Sequence, residues 1–127
     1  MKKFIVAMLF TVSANSFAAG PYDGIWLIDP YGYVTISEKD GVMIAVINFN
    51  DTYSGYWMAF SGARVDNKVE LQLLNVPDNY TGVDMTLNAT ITSDTTFTAR
   101  QISCTPLSEW DKCILENDTV INGTKVW

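Results

Sequence analysis

The chain contains no histidine. That absence removes the usual general base at neutral pH, together with every Ser-His or Cys-His nucleophile pair. With only two cysteines besides, too few soft ligands remain for a zinc site. Basic residues are also scarce, eight against fourteen acids, for a net charge of −6. Nucleic acid needs a basic footprint, so this balance excludes it as a partner, and it argues against an anionic membrane surface. No glycine-rich phosphate loop or EF-hand pattern occurs. No apolar run is long enough to cross a bilayer as a permanent helix, and no helical periodicity of useful length appears.

What the chain has first is an address. Lys2 and Lys3 precede an apolar run from Phe4 to Val12, broken only by Thr11. Ser16 and Ala18 then occupy the two small-residue positions that a signal peptidase reads. The expectation is a signal peptide over 1–18 and a single mature domain over 19–127. The Met-Lys-Lys start resembles a Gram-negative bacterial signal, so the expected location is periplasmic or secreted. Removing two lysines takes the mature charge from −6 to −8, which favours solubility. The mature part is long enough to bury about two-thirds of its unfolded surface. Export places Cys104 and Cys113 in an oxidising compartment, so one disulfide is expected. Their spacing is wrong for a redox-active C-x-x-C.

Short apolar or alternating runs separated by turn residues mark an all-β domain. Gly24 to Ile28 leads into Asp29-Pro30-Tyr31-Gly32, which suits a tight reversal. Tyr33 to Glu38 ends at Lys39-Asp40-Gly41, where Asp-Gly signals a hairpin. Val42 to Phe49 is apolar at both parities, which predicts a strand covered on both faces. Further strands are expected over Tyr56 to Val65, Lys68 to Val76, Thr95 to Cys104 and Thr119 to Trp127. The clearest periodicity lies at Val83, Met85, Leu87, Ala89 and Ile91, alternating with Asp84, Thr86, Asn88, Thr90 and Thr92. One face of that strand is read as buried and the other as wet. Glu109 to Glu116 offers one or two helical turns at most.

Eight sequential antiparallel strands satisfy their edges best by closing into an up-and-down barrel. A two-sheet β-sandwich is the alternative. Gly24-Ile25-Trp26 on the first strand resembles the G-x-W signature of lipocalin-like (calycin) barrels, which implies that Trp26 plugs one end. The chain lacks the large first loop and C-terminal helix of lipocalins. From Gly32 to Pro106, with Ser61-Gly62 and Ser103-Cys104-Thr105-Pro106, it is also similar to small exported bacterial β-barrel proteins of unknown function. That likeness implies a fold and an address but no activity. Ser61-Gly62-Ala63-Arg64 loosely resembles a Ser-Gly motif of one family of periplasmic lysozyme inhibitors, although the flanking cysteines of that family are absent.

Carboxylate pairs are the remaining route to catalysis. Most of the acids fall at turns (Asp29, Asp40, Asp51, Asp66, Asp78 and Asp94), where an Asp side chain bonds local backbone. Glu38 and Glu70 lie within strands and are read as facing water. The expectation is therefore no enzyme, no cofactor and no metal, the oxygens of Asn48-Phe49-Asn50-Asp51 being too few for calcium. Five Asn-x-Thr sequons are read as by-products of an Asn/Thr-rich β protein.

The informative asymmetry is aromatic. Trp26, Tyr31, Tyr33, Phe49, Tyr53, Tyr56, Trp57 and Phe60 crowd the first half. Tyr and Trp combine flat apolar area with a polar handle, which suits binding surfaces. Tyr56 and Trp57 are adjacent, so alternation places them on opposite faces. Because Met58 and Phe60 share the parity of Tyr56, the expectation is Tyr56 inward and Trp57 outward. Trp57, Tyr53, Tyr33 and Tyr31 are the candidate binding residues. The expected function is a non-catalytic binding module for a small apolar ligand. The alternative is a periplasmic protein-interaction module contacting an envelope protein, for instance as an enzyme inhibitor. An integral outer-membrane barrel is disfavoured, since Lys125 and Gly123 share the parity of Trp127 where an apolar band would be needed.

Overall fold

The computed structural model describes residues 20–50, 56–75 and 82–127. The expected signal segment lies outside them, as does Tyr53. The described residues form eight strands: β1 (Gly24–Ile28), β2 (Gly32–Lys39), β3 (Val42–Phe49), β4 (Trp57–Val65), β5 (Lys68–Leu73), β6 (Val83–Ser93), β7 (Thr96–Pro106) and β8 (Val120–Lys125). They close in sequence order into an all-antiparallel barrel. The up-and-down barrel is therefore the fold, and the sandwich alternative falls. The fold is consistent with a lipocalin-like architecture.

Turn chemistry sets the register. Asp40 and Gly41 both take positive φ, 53° and 77°, the pair that a type I′ hairpin requires. It fixes Lys39 opposite Val42 and, by counting back, Gly32 opposite Phe49. At Asp66, φ is 55°, and that turn sets Val65 against Lys68. The β6–β7 turn is Asp94–Thr95 rather than Ser93-Asp94, so Ser93 stays in β6 and pairs with Thr96.

With the register fixed, alternation sorts side chains into inside and outside. Val83, Met85, Leu87, Ala89 and Ile91 are buried, Asp84, Asn88 and Thr92 are exposed, and Thr86 and Thr90 are half-buried. The core is almost wholly apolar, with Gln101 its one buried polar residue among those described. Trp26 is 1 % exposed, and its ring lies 5.3 Å from that of Phe97. Room for Phe97 comes from Gly123 on β8, where a Cβ would stand 2.1 Å from the Phe97 ring.

Closure is thinnest between the first and last strands. Only Trp26 with Lys125 and Leu27 with Thr124 pair there. The seam is extended by Ile25 N donating to Trp127 O and Val126 N donating to Ile25 O, both at 2.9 Å.

Two expectations require correction. Val42 to Phe49 is not covered on both faces: Met43, Ala45, Ile47 and Phe49 are buried, while Val42 and Ile44 are exposed. Apolar composition alone does not reveal whether a second layer exists to cover a strand. Glu38 does not face water: its side chain is 7 % exposed and paired with Arg64. Over 109–116 no helix forms.

Leu87→Ala is expected to lower unfolding free energy by about 2–5 kcal/mol, as for a buried Leu. Thr86 forms an exposed hydrogen bond, its Oγ1 donating to Gln72 Oε1 at 3.0 Å, so Thr86→Ala is expected to stay within about 0.5 kcal/mol. Urea unfolding measures both, and equal losses at the two positions would invert the inside and outside of β6.

Candidate functional site

The barrel has two unlike ends. The lower one, at the β2–β3, β4–β5 and β6–β7 turns, is shut by polar side chains over an apolar floor. Trp26 Nε1 donates to Tyr22 O at 3.1 Å, so the buried indole keeps its hydrogen bond. Lys125 Nζ stands 5.7 Å from the Trp26 ring, and the Arg64 guanidinium 5.1 Å from that of Tyr22, both within cation–π range. Arg64 also grips Glu38 through Nε at 3.0 and 2.8 Å and through Nη2 at 2.6 Å. The hydrogen bond to Glu38, foremost, raises the Arg64 pKa above its ordinary value. Glu38 N in turn donates to Asp23 Oδ1 at 2.7 Å. Trp26 thus lies buried beneath this lower clasp. Of the lysozyme-inhibitor-like motif, Ser61 and Gly62 lie mid-strand in β4, while Arg64 belongs to this lower clasp.

The upper end is held by the segment that follows β7. Cys104 and Cys113 form the expected disulfide, with Cα atoms 6.1 Å apart. Both cysteines, with Ile114 and Leu115, pack against the core. Gln101, fully buried, donates through Nε2 to Leu115 O at 2.9 Å and to Asn117 Oδ1 at 3.2 Å. Its Oε1 is buried without a hydrogen-bond partner. The residue was missed in the sequence, although Phe97, Ala99 and Gln101 share one parity. Trp110, within the disulfide loop, is exposed.

Between these ends the interior is nearly full. It retains a cavity of about 40 Å³, lined wholly by apolar contacts from residues such as Trp26, Phe60, Leu71, Leu87 and Phe97. Drug-sized ligands occupy pockets of roughly 300–1,000 Å³.

The candidate binding residues gather at the upper end. Tyr33 on β2 is opposite Asn48 on β3, and Asn48 is opposite Trp57 on β4. All three point outward, with Tyr33 50 % and Trp57 38 % exposed. They form one row across three adjacent strands, spanning roughly 10 Å at the usual strand spacing. Tyr31, in the turn before β2, is half-buried against the core and so serves mainly as support; its backbone carbonyl accepts from Asn50 N at 2.8 Å. Tyr53 lies outside the described residues.

Tyr56 requires correction: it is 56 % exposed rather than inward. It precedes the first residue of β4, and although its carbonyl accepts from Phe49 N at 2.8 Å, its side chain at this outer end is not buried. Trp57 is outward, as expected.

Below that row the outward positions are Thr35, Ser37 and Lys39 on β2, Val42, Ile44 and Val46 on β3, and Ala59, Ser61, Ala63 and Val65 on β4. Lys39, opposite Val42 at the lower turn, is the one charged side chain among them. Outward positions on β5 to β7 include Lys68, Glu70, Asp84 and Arg100. Ala59 is outward yet buried, recessed between Val46, its partner on β3, and Leu74, whose N donates to Ala59 O at 2.8 Å. Among the described residues no group of three or more His, Cys, Asp or Glu could hold a metal, and no helix is long and apolar enough to cross a membrane. No protein-family model, curated protein or solved structure matches the chain.

Tyr56→Ala and Trp57→Ala are both expected to change stability by no more than about 1 kcal/mol, as surface substitutions do. Trp26→Ala is expected to cost about 3–5 kcal/mol. Thermal unfolding of the three variants checks the assignment, and a large loss at Trp57 would make it a core residue.

Proposed function

We propose that this protein is an exported, non-catalytic binding module that engages a protein partner through the outer face of β2 to β4, whose outward side chains are uncharged apart from Lys39 at its lower end. The observation that carries this reading is the row Tyr33–Asn48–Trp57, aromatic side chains flanking an amide at the end of the face away from Lys39. Interface centres are depleted of charge and enriched in Tyr and Trp, and this face matches that description. The second reading, a small apolar ligand held inside in the manner of lipocalin-like barrels, has only the 40 Å³ cavity to draw on. A cavity of that size and lining suits a single small apolar atom or molecule.

Polar outward positions on β5 to β8, such as Glu70, Asp84, Asn88, Arg100 and Asn122, support a barrel outside the bilayer, since a lipid-facing band is apolar. A periplasmic enzyme inhibitor is one form this reading takes, with Ser61 on the proposed face. Export supplies the oxidising compartment that the Cys104–Cys113 bond needs.

Two measurements test the proposal. Affinity capture from envelope extract is expected to recover one species equally with the wild type and Thr90→Ala. Trp57→Ala and Tyr33→Ala are expected to reduce it at least about tenfold, as for interface hot spots, without lowering the unfolding midpoint. Recovery that is equal across all four chains, or a small molecule bound inside the wild type by native mass spectrometry, would favour the interior reading. Separately, intact mass of the exported protein is expected to show loss of residues 1–18 and one disulfide. Two free thiols or a retained leader would remove the compartment from the argument.

A further inference from the structure

We infer that the outer face of β3 and β4 binds a second copy of this chain, in an isologous dimer with its two-fold axis parallel to the strands. The inference rests on the reading of this face as the binding surface and names one occupant for it.

The relief of the face is self-complementary. Val42, Ile44 and Val46 form a ridge of β-branched side chains along β3. Beside it, Ala63, Ser61 and Ala59 form a trough of small ones along β4. The register pairs them row by row, Val42 with Ala63, Ile44 with Ser61, Val46 with Ala59, and Asn48 with Trp57 at the upper end. A two-fold axis running between the two strands, above the face, carries each β3 residue over its own β4 neighbour in the second copy. Ile44 then stands over Ser61, Val46 over the recessed Ala59, and Asn48 beneath the Trp57 indole. Each contact is made twice, as an isologous interface requires. Sheets stacked this way lie about 10 Å apart, a gap that a large residue facing a small one fills.

Charge points to the same face. Two chains of net charge −6 repel one another, and this repulsion is least where no carboxylate faces its own copy. Outward positions on β5 and β6 bring Glu70 and Asp84 to the surface, whereas the ridge, the trough and the adjoining Thr35 and Ser37 are uncharged. The same axis carries β2 over β5, so Lys39, in the row of Val42 and Ala63, stands over Glu70 of the second copy, which lies beside Ala63. With β2 over β5, four strands and four rows cover roughly 500 Å² of face at ordinary sheet spacings. That is below the ~800 Å² per partner of a standard interface, so the dimer is expected to be reversible and concentration-dependent.

Sedimentation equilibrium over a wide concentration range tests this with the full mature chain. The wild type is expected to show a reversible monomer–dimer equilibrium. Ile44→Asp and Ser61→Lys, each at an outward position that leaves the core untouched, are expected to weaken it at least about tenfold, while Thr90→Asp on the far side leaves it unchanged. Mixing the Ile44→Asp chain with the Ser61→Lys chain is expected to restore association between unlike chains, because the new carboxylate and ammonium then face each other across the interface. A wild type that stays monomeric throughout, or a dimer weakened equally by Thr90→Asp, overturns the inference. If the wild type is monomeric and Trp57→Ala still abolishes capture of an envelope protein, the second copy is refuted while the functional reading stands.

Discussion

Closing eight strands leaves an interior about as wide as the side chains that point into it, and every other property of this molecule depends on filling that space. Trp26 and Phe97 occupy its lower part, ring centroids 5.3 Å apart, and Gly123 yields the volume a larger residue would take. Because close packing consumes the inward parity of all eight strands, only the outward parity and the ends remain for interaction. A lipocalin-like outline here encloses an interior filled almost entirely by its own side chains. The same Trp26 that closes the end also lies on β1, where the seam with β8 has few paired residues, so the buried indole reinforces the sheet at its weakest joint.

The ends are closed by different chemistry because different lengths of chain are available. The lower turns are short, so closure there comes from side chains reaching across strands. Arg64 and Glu38 are 26 residues apart in sequence, and neither could be desolvated without the other. Above, the chain between β7 and β8 is long enough to fold over the core itself. The disulfide limits its freedom across a separation of nine residues, reducing the entropy of the unfolded chain by the equivalent of about 2.5–3 kcal/mol if the loop-closure account holds. Gln101 then ties the far side of that cap from within. Its Nε2 satisfies two acceptors, which explains a polar residue at a position where the strand's parity calls for an apolar one.

Much of this was legible in the sequence, and the exceptions have physical reasons. The bounds of β1 and β3 follow from the Asp-Pro turn and the Asp-Gly hairpin, and the inward set of β6 follows from strict alternation. Tyr56, however, stands just ahead of β4: its carbonyl still accepts from Phe49 N at 2.8 Å, but its side chain is 56 % exposed, so inward parity there does not bring burial. Glu38 continues the inward parity of Val34 and Ile36, but a carboxylate is tolerated inside only because Arg64 reaches it from β4. That contact depends on the turn of the whole sheet, which no local pattern encodes. For β3 the apolar parity on both faces was plain, whereas the absence of a covering layer was not. Of the four candidate binding residues, Tyr33 and Trp57 are brought into one row, Tyr31 is drawn partly into the core, and Tyr53 lies outside the described residues.

That uncovered face of β3 distinguishes two kinds of selection on the chain. Stability alone asks nothing of outward positions beyond β-propensity and solubility, and the Thr, Asn and charged residues that predominate on β5 to β8 meet that demand, with Ile102 and Val120 the exposed apolar exceptions. The same demand would be met on β2 to β4 by the same residues. Instead β3 places Val42 and Ile44 in solvent, and β4 places Trp57 beside them, without adding to a core that already holds only about 40 Å³ of free volume. Exposed apolar surface on an edgeless barrel cannot be explained as strand pairing in waiting, because closure leaves no free edge. Under the proposed reading these side chains contact another surface, through the rows of β2 to β4 that run from Lys39 and Val42 at the lower end to Tyr33, Asn48 and Trp57 at the upper.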